Sequence, residues 1–257
     1  MRDVQSAATI TAVSGRNSRR QEMKETKNRD SKSFRSFIMG AVSMFAFMIG
    51  DWLLDSAGAG DAELGLVAHT NWPGMSMWRF VASSVIAIIA IYFTYLGCRE
   101  AIALSRETSQ NGSTAGRIMN GLYRFCHVTL IVFGSGLHII ICMFPMIFKT
   151  VLASGGTIEL AASVANDTAS LIIVPFMIVY LVCDLGVSVA WYYIVLKKQL
   201  RLSPLALLCC PLSTLLLDFA LKAIPLQFFK DFTVAFESLG WLLMFAALAV
   251  HTKRSAA

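Results

Sequence analysis

Six apolar runs, at about 36–55, 77–98, 122–148, 169–196, 203–224 and 234–251, constrain this chain more than any other feature. Each reaches the roughly 20 residues that a helix needs to cross a hydrocarbon core. None has the period-two alternation of a barrel strand, and all are too long for one. Backbone amides in lipid must be bonded within a helix or a closed barrel, so few folds remain open. The expected class is all-α: a polytopic membrane protein whose six transmembrane helices form one bundle over residues 34–252. Composition agrees, with 56% hydrophobic and 15% charged residues, where soluble domains carry about a quarter charged.

The placement of charge predicts how the helices are threaded. Nine of the 22 Lys and Arg residues fall within the first 35 positions. Residues 1–33 are polar, basic and without apolar period, which predicts a disordered tail that contacts anionic lipid headgroups. Residues 253–257 form a short basic tail at the other end. With the N-terminus in the cytoplasm, 18 basic residues lie inside and four, Arg79, Lys149, Lys222 and Lys230, lie outside. The positive-inside rule then holds at every loop and places both termini in the cytoplasm. Trp52, Trp72, Trp78 and Trp241 fall at the expected outer interface and Trp191 near the inner one. A cell membrane is the expected location. The alternative for the first run is a secretory signal, with "SAGAG" as its cleavage region. The length of the basic tail and Asp51 at the end of the apolar core favour an anchor.

The net charge of +6 does not point to nucleic acid, because no zinc-finger spacing or aromatic-basic face accompanies it. The six cysteines form no CxxC pair and read as small buried hydrophobes. No phosphate-cradling loop, HExxH, GxSxG or dinucleotide fingerprint occurs, so no cofactor is expected. No ligand spacing suggests a metal. Loop 56–76 has apolar patches and a Pro-Gly turn, which suggests that it packs on the bundle.

Ionisable groups at membrane depth each need a partner or a function. His138 and Asp184 fall near the middle of the third and fourth runs, so the expectation is that they face each other and share a proton or hold the two helices together. His127 lies about three turns from His138, too far to share a metal ion. In "LLLDFALKAIP", Asp218 and Lys222 stand at i and i+4 and can neutralise each other. Asp51 and Asp55 end the first run in "MIGDWLLDSAG", one turn apart on one face. They match the depths of Asp218 and Lys222, which suggests an intramembrane cluster of Asp51, Asp218 and Lys222 with Glu237 near its rim. Pro145 and Pro175 sit in the outer halves of the third and fourth runs, where kinks would open an outward-facing vestibule.

The "GDWLL" helix end, "MWRF" and "GSGLHII" together resemble a group of small multi-pass bacterial membrane proteins of uncharacterised function. That resemblance implies a bacterial cytoplasmic-membrane protein and no particular activity. The Gly-Asp helix end also resembles the lysoplasmalogenase-like membrane hydrolases, which would imply paired intramembrane aspartates with Asp51 or Asp184 among them.

Three functions fit these residues. The leading one is transport or binding of a small solute at a polar intramembrane site, proton-linked through Asp184 and His138. The second is an intramembrane enzyme on a lipid or isoprenoid, with Asp51 and Asp218 as acid and base. The third is a structural or accessory membrane subunit whose polar groups hold helices together.

Overall fold

In the computed structural model, packing and side chains are described for residues 28–254 apart from 57, 110–112 and 201. Among the described residues the main elements are helices: α1 (Asn28–Asp55), α2 (Met77–Ser109), α3 (Thr114–Ala153), α4 (Ile158–Leu196), α5 (Pro211–Lys222), α6 (Gln227–Thr233) and α7 (Phe236–Arg254). The first 27 residues of the expected tail lie outside the described residues. Residues 28–33 are helical and continuous with the rest of α1, and Lys253 and Arg254 lie in α7 rather than in a separate tail.

Among the described residues four helices, α1 to α4, are long and apolar enough to cross a membrane, and a fifth is reached if α6 and α7, bent by 51° at their junction, count as one. The expected crossing at 203–224 is not a long helix. It is a 3-10 turn at Pro204–Leu208 followed by the 12-residue α5. Proline explains the division, because Pro204 and Pro211 each open a helix at its first turn, where the missing N–H costs nothing. At ~1.5 Å per residue α5 spans ~18 Å, short of the ~30 Å hydrocarbon core.

The chain nevertheless returns to the end where it began. Arg29 Nη2 meets Glu107 Oε2 at 2.6 Å, and Arg29, Phe37, Glu107, His251 and Thr252 line one cavity. The start of α1, the end of α2 and the end of α7 are therefore neighbours. Between them, α5 rises from the level of Trp191, whose Nε1 donates to Ala206 O at 2.7 Å, to Lys222 at the opposite end beside Asp55 and His69.

Small residues let the helices close on one another. A Cβ at Gly97 would lie 3.0 Å from Gly40 Cα and 2.9 Å from the Phe245 ring, so α1, α2 and α7 meet there only because neither glycine has a side chain. Beside this contact Ser43 and Thr94 share a hydrogen bond at 2.9 Å. Phe37, Trp191, Trp241, Met244 and Phe245 fill the centre. Large apolar side chains also face outward, with Leu171 82% and Phe219 72% exposed. Water would penalise such a surface; lipid does not. Trp78 is exposed, but Trp72, Trp191 and Trp241 are buried and do not form the expected interfacial belt.

Loop 56–76 packs onto the bundle as its apolar patches suggested. Asn166 on α4 accepts from Val67 N and donates from Nδ2 to Leu64 O at 2.7 Å. Lys149 Nζ donates to Pro73 O at 2.8 Å. Arg79 donates from Nε to Leu53 O and from Nη2 to Ser56 O, which satisfies carbonyls that the end of α1 leaves free.

Candidate functional site

The α3–α4 hairpin sets the geometry of the site. Its turn lies at Ser154–Thr157, with Gly155 at φ +87° and the Thr157 hydroxyl accepting from Leu160 N at 3.2 Å. His138 lies fifteen residues before the end of α3 at Ala153, so its level on α4 is near residue 173. Asp184 lies about eleven residues further along, or ~16 Å by helical rise. Its level on α3 is instead near His127, and a Cβ at Gly186 would meet Cys126 Sγ at 2.9 Å, as this register requires. His138 and Asp184 therefore do not face each other. The expectation of a pair placed both residues at mid-run, but α3 is longer than its apolar run and shifts the register.

His138 meets α1 and α2 instead. Its Nε2 lies 2.7 Å from Ser83 Oγ, and Ser83 Oγ lies 2.8 Å from Gly50 O. A Cβ at Gly50 would stand 3.3 Å from that same nitrogen, so glycine permits the approach. The single Ser83 proton goes either to Gly50 O, with His138 donating from Nε2, or to Nε2, with the ring proton on Nδ1. In both arrangements His138 Nδ1 faces Asp51 Oδ1 at 3.4 Å, and one proton belongs in that gap, on either partner. The second Asp51 oxygen accepts from Ser238 Oγ on α7 at 2.6 Å.

Asp184 sits lower, where residues 181–186 form a π-turn within α4. Such a turn carries one extra residue and re-aims the side chains around it. Asp184 is 2% exposed, and its Oδ1 accepts from Trp241 Nε1 at 2.9 Å. Its Oδ2 is buried and takes no donor from backbone, hydroxyl or amide, while the Glu237 carboxyl lies within hydrogen-bonding reach. Two carboxyl groups can bond to each other only if one carries a proton. Trp241 also presents its ring edge-on to His127, whose Nδ1 donates to Tyr123 O at 2.8 Å.

These groups share one chamber of about 150 Å³, walled by Asp51, His138, Tyr180, Asp184, Glu237 and Trp241. That is well above the ~10–15 Å³ that a single water needs. A second cavity of about 440 Å³ lies toward the end that carries loop 56–76, lined by Val67, Trp72, Ile141, Phe144, Pro145 and Ile173 among others. Leu54, Asp55, Ile141, Phe176 and Val234 wall both, so the two are contiguous. The outer cavity exists because α3 continues ~22 Å past His138 while α1 ends ~6 Å past Asp51. Loop 56–76 closes the side that α1 leaves open. Pro145 lines it, whereas Pro175, the other proline expected at a vestibule, is not on its wall.

Of the residues singled out from the sequence, Asp51, His138 and Asp184 line the inner chamber and Lys222 lines the outer one. Asp55 lies at their junction. Asp218 walls neither: its Oδ2 accepts from Lys222 Nζ at 3.0 Å, the expected i, i+4 pair. It still bears on the chamber through Tyr180, whose hydroxyl lies in the field of Glu237, Asp184, Asp218 and Asp51. Ser83, Ser238, Tyr180 and the role of Trp241 were not foreseen. Hydroxyls inside an apolar run and an indole N–H in a core are the signals that mark them. Among the described residues no three His, Cys, Asp or Glu side chains converge as a metal site.

The chain belongs to DUF6796, a family of unknown function, whose family model matches residues 23–255. Neither the curated proteins nor the solved structures contain a match to it.

Proposed function

We propose that this chain is an integral membrane protein that binds a small solute in the inner chamber and carries it across the bilayer in a proton-linked cycle. The observation behind this reading is the two-part cavity: an apolar outer cavity that shares walls with a chamber lined by Asp51, His138, Asp184 and Glu237. Buried ionisable groups at membrane depth are costly, and here they are gathered at the end of a path rather than dispersed as helix-to-helix bonds. The two proton-sharing contacts, His138 with Asp51 and Asp184 with Glu237, supply sites that a proton can leave and rejoin. The bundle sits in a cell membrane with the 56–76 loop outside and both ends of the chain in the cytoplasm, an orientation supported by the excess of Lys and Arg at that end. The basic N-terminal segment lies against anionic headgroups there.

Access is the feature that an accessory, purely structural protein would not need. In sealed vesicles, Ile173→Cys and Val234→Cys should react with a membrane-impermeant maleimide added on the loop side, above the level of the unmodified protein. Reaction at Ile173→Cys without any at Val234→Cys, from either side, would mean that the chamber is closed off and would overturn the reading. Proton linkage is measured in proteoliposomes loaded with a pH-sensitive dye and offered a panel of amines, carboxylates and sugars. At least one solute should drive proton movement that Asp184→Asn abolishes; equal movement in the variant for every active solute removes Asp184 from the cycle.

A further inference from the structure

The chamber is chemically one-sided. No Lys or Arg is among its lining residues, while Asp51, Asp55, Asp184 and Glu237 are. Asp184 Oδ2 is buried in its wall with no nitrogen or hydroxyl donor. The aromatic side chains Phe47, Phe176, Tyr180 and Trp241 complete that wall. An anion entering here would meet like charge and find only His138. A neutral sugar would leave most of its hydroxyls against aromatic and aliphatic surface. A cation meets carboxylates for its charge and ring electrons for its flanks, the combination by which proteins hold ammonium groups.

We propose that the solute is an organic cation, its ammonium group seated between Asp184 and Glu237 beside Tyr180 and Trp241, with its apolar part in the outer cavity. This rests on the solute-binding reading given above and names the class of solute. The outer cavity fits the apolar part: Val67, Trp72, Ile141, Phe144, Ile172 and Ile173 line it, and the basic side chains on its wall, Lys222 and His69, each have a carboxylate partner, Asp218 and Asp61.

The same geometry dictates the exchange. In the empty chamber the Asp184–Glu237 contact holds one proton, so the pair carries one negative charge. When the cation arrives, that proton leaves to solvent, both carboxylates face the ammonium, and the summed charge is again one negative. One proton is released for each cation bound, and no bond to carbon forms or breaks. The other groups around the pair are Asp51 and Asp55 on α1, Cys126 and His138 on α3, Tyr180 and Cys183 on α4, and Asp218 on α5. Of these, the Asp51–His138 pair already shares its own proton and Asp218 is neutralised by Lys222.

The test uses the full chain in lipid nanodiscs and benzyltrimethylammonium, whose charge does not vary with pH. Its uncharged isostere neopentylbenzene and the anion phenylacetate serve as comparisons. Binding of the cation should tighten about tenfold per pH unit and release one proton per molecule bound, read in weakly buffered medium. Neopentylbenzene and phenylacetate should bind at least tenfold more weakly and release none. Asp184→Asn and Glu237→Gln should each flatten the pH dependence. Whether each variant folds is checked by maleimide reaction of Val234→Cys in the same background, which should persist. If the cation does not bind while Val234→Cys still reacts, the solute class is wrong and the accessible chamber stands. Equal binding of either comparison compound, or cation binding with an unchanged pH dependence in both variants, also overturns the proposal.

Discussion

Gly240→Ala is the substitution whose effect follows most directly from the packing. Gly240 lies on α7 at the closest approach to α5, and a Cβ placed there would stand 2.5 Å from both Pro211 N and Thr214 Oγ1. Ordinary contact begins near 3.4 Å, so about 0.9 Å of room is lacking. Thr214 cannot simply rotate clear, because its hydroxyl donates to Pro211 O at 2.9 Å. Pro211 is backbone and has no freedom at φ to move aside. The helices must part. Alanine gains up to ~1 kcal/mol over glycine within a helix, while forcing a methyl into a filled contact costs ~1–3 kcal/mol or somewhat more. A net loss of ~1–2 kcal/mol is expected, which for a chain of this size lowers the midpoint of thermal unfolding by ~2–8 °C. Gly136→Ala is the matched comparison, since nothing lies within 4 Å of its added methyl. There only the helix-forming gain remains, and the midpoint should hold or rise slightly. The assay is thermal unfolding of the purified protein in one detergent, followed by tryptophan fluorescence. Because Glu237 and Trp241 flank Gly240 on α7, the Asp184 contacts should loosen together with the fold. If Gly240→Ala raises the midpoint as Gly136→Ala does, the described α5–α7 packing is wrong.

Ser83→Ala should cost ~1–3 kcal/mol by leaving His138 Nε2 without its buried hydrogen-bond partner, with Ser83→Thr closer to the parent in the same unfolding assay. Trp241→Phe removes the donor to Asp184 Oδ1 and one ring of the buried indole, so the lost hydrogen bond alone should cost ~1–3 kcal/mol of stability in the same assay, with the void adding to it. Asn166→Ala releases three hydrogen bonds to loop 56–76, so proteolysis or hydrogen exchange should accelerate in that loop while α1 to α4 stay protected. Glu107→Gln, by contrast, breaks only an exposed pair with Arg29 and should change the midpoint by less than ~0.5 kcal/mol equivalent.

How much of this was legible beforehand differs from one element to another. The helices α1 to α4 follow from apolar runs that no other secondary structure can satisfy in lipid, and the sequence located each of them. It misjudged the run at 203–224, because hydropathy sums over Pro204 and Pro211 without registering that they divide the helix. The Asp218–Lys222 pair was legible because an i, i+4 contact depends on one helix alone. The His138–Asp184 pair was not, because a contact between helices depends on register. Hydropathy marks where a helix enters lipid, whereas register is set where the helix turns, and α3 runs on to Ala153 before it does.

The apolar helices, and the acids and histidines set within them, were thus written in the chain. Partnership was decided in three dimensions. Hairpin length carries Asp184 past His138 to the level of His127, the π-turn re-aims it, and the short α5 lets α7 bring Glu237, Ser238 and Trp241 into the centre. A single residue of register turns a helical side chain by about 100°. Composition is blind to that rotation, and only the packed bundle determines which of these polar groups meet.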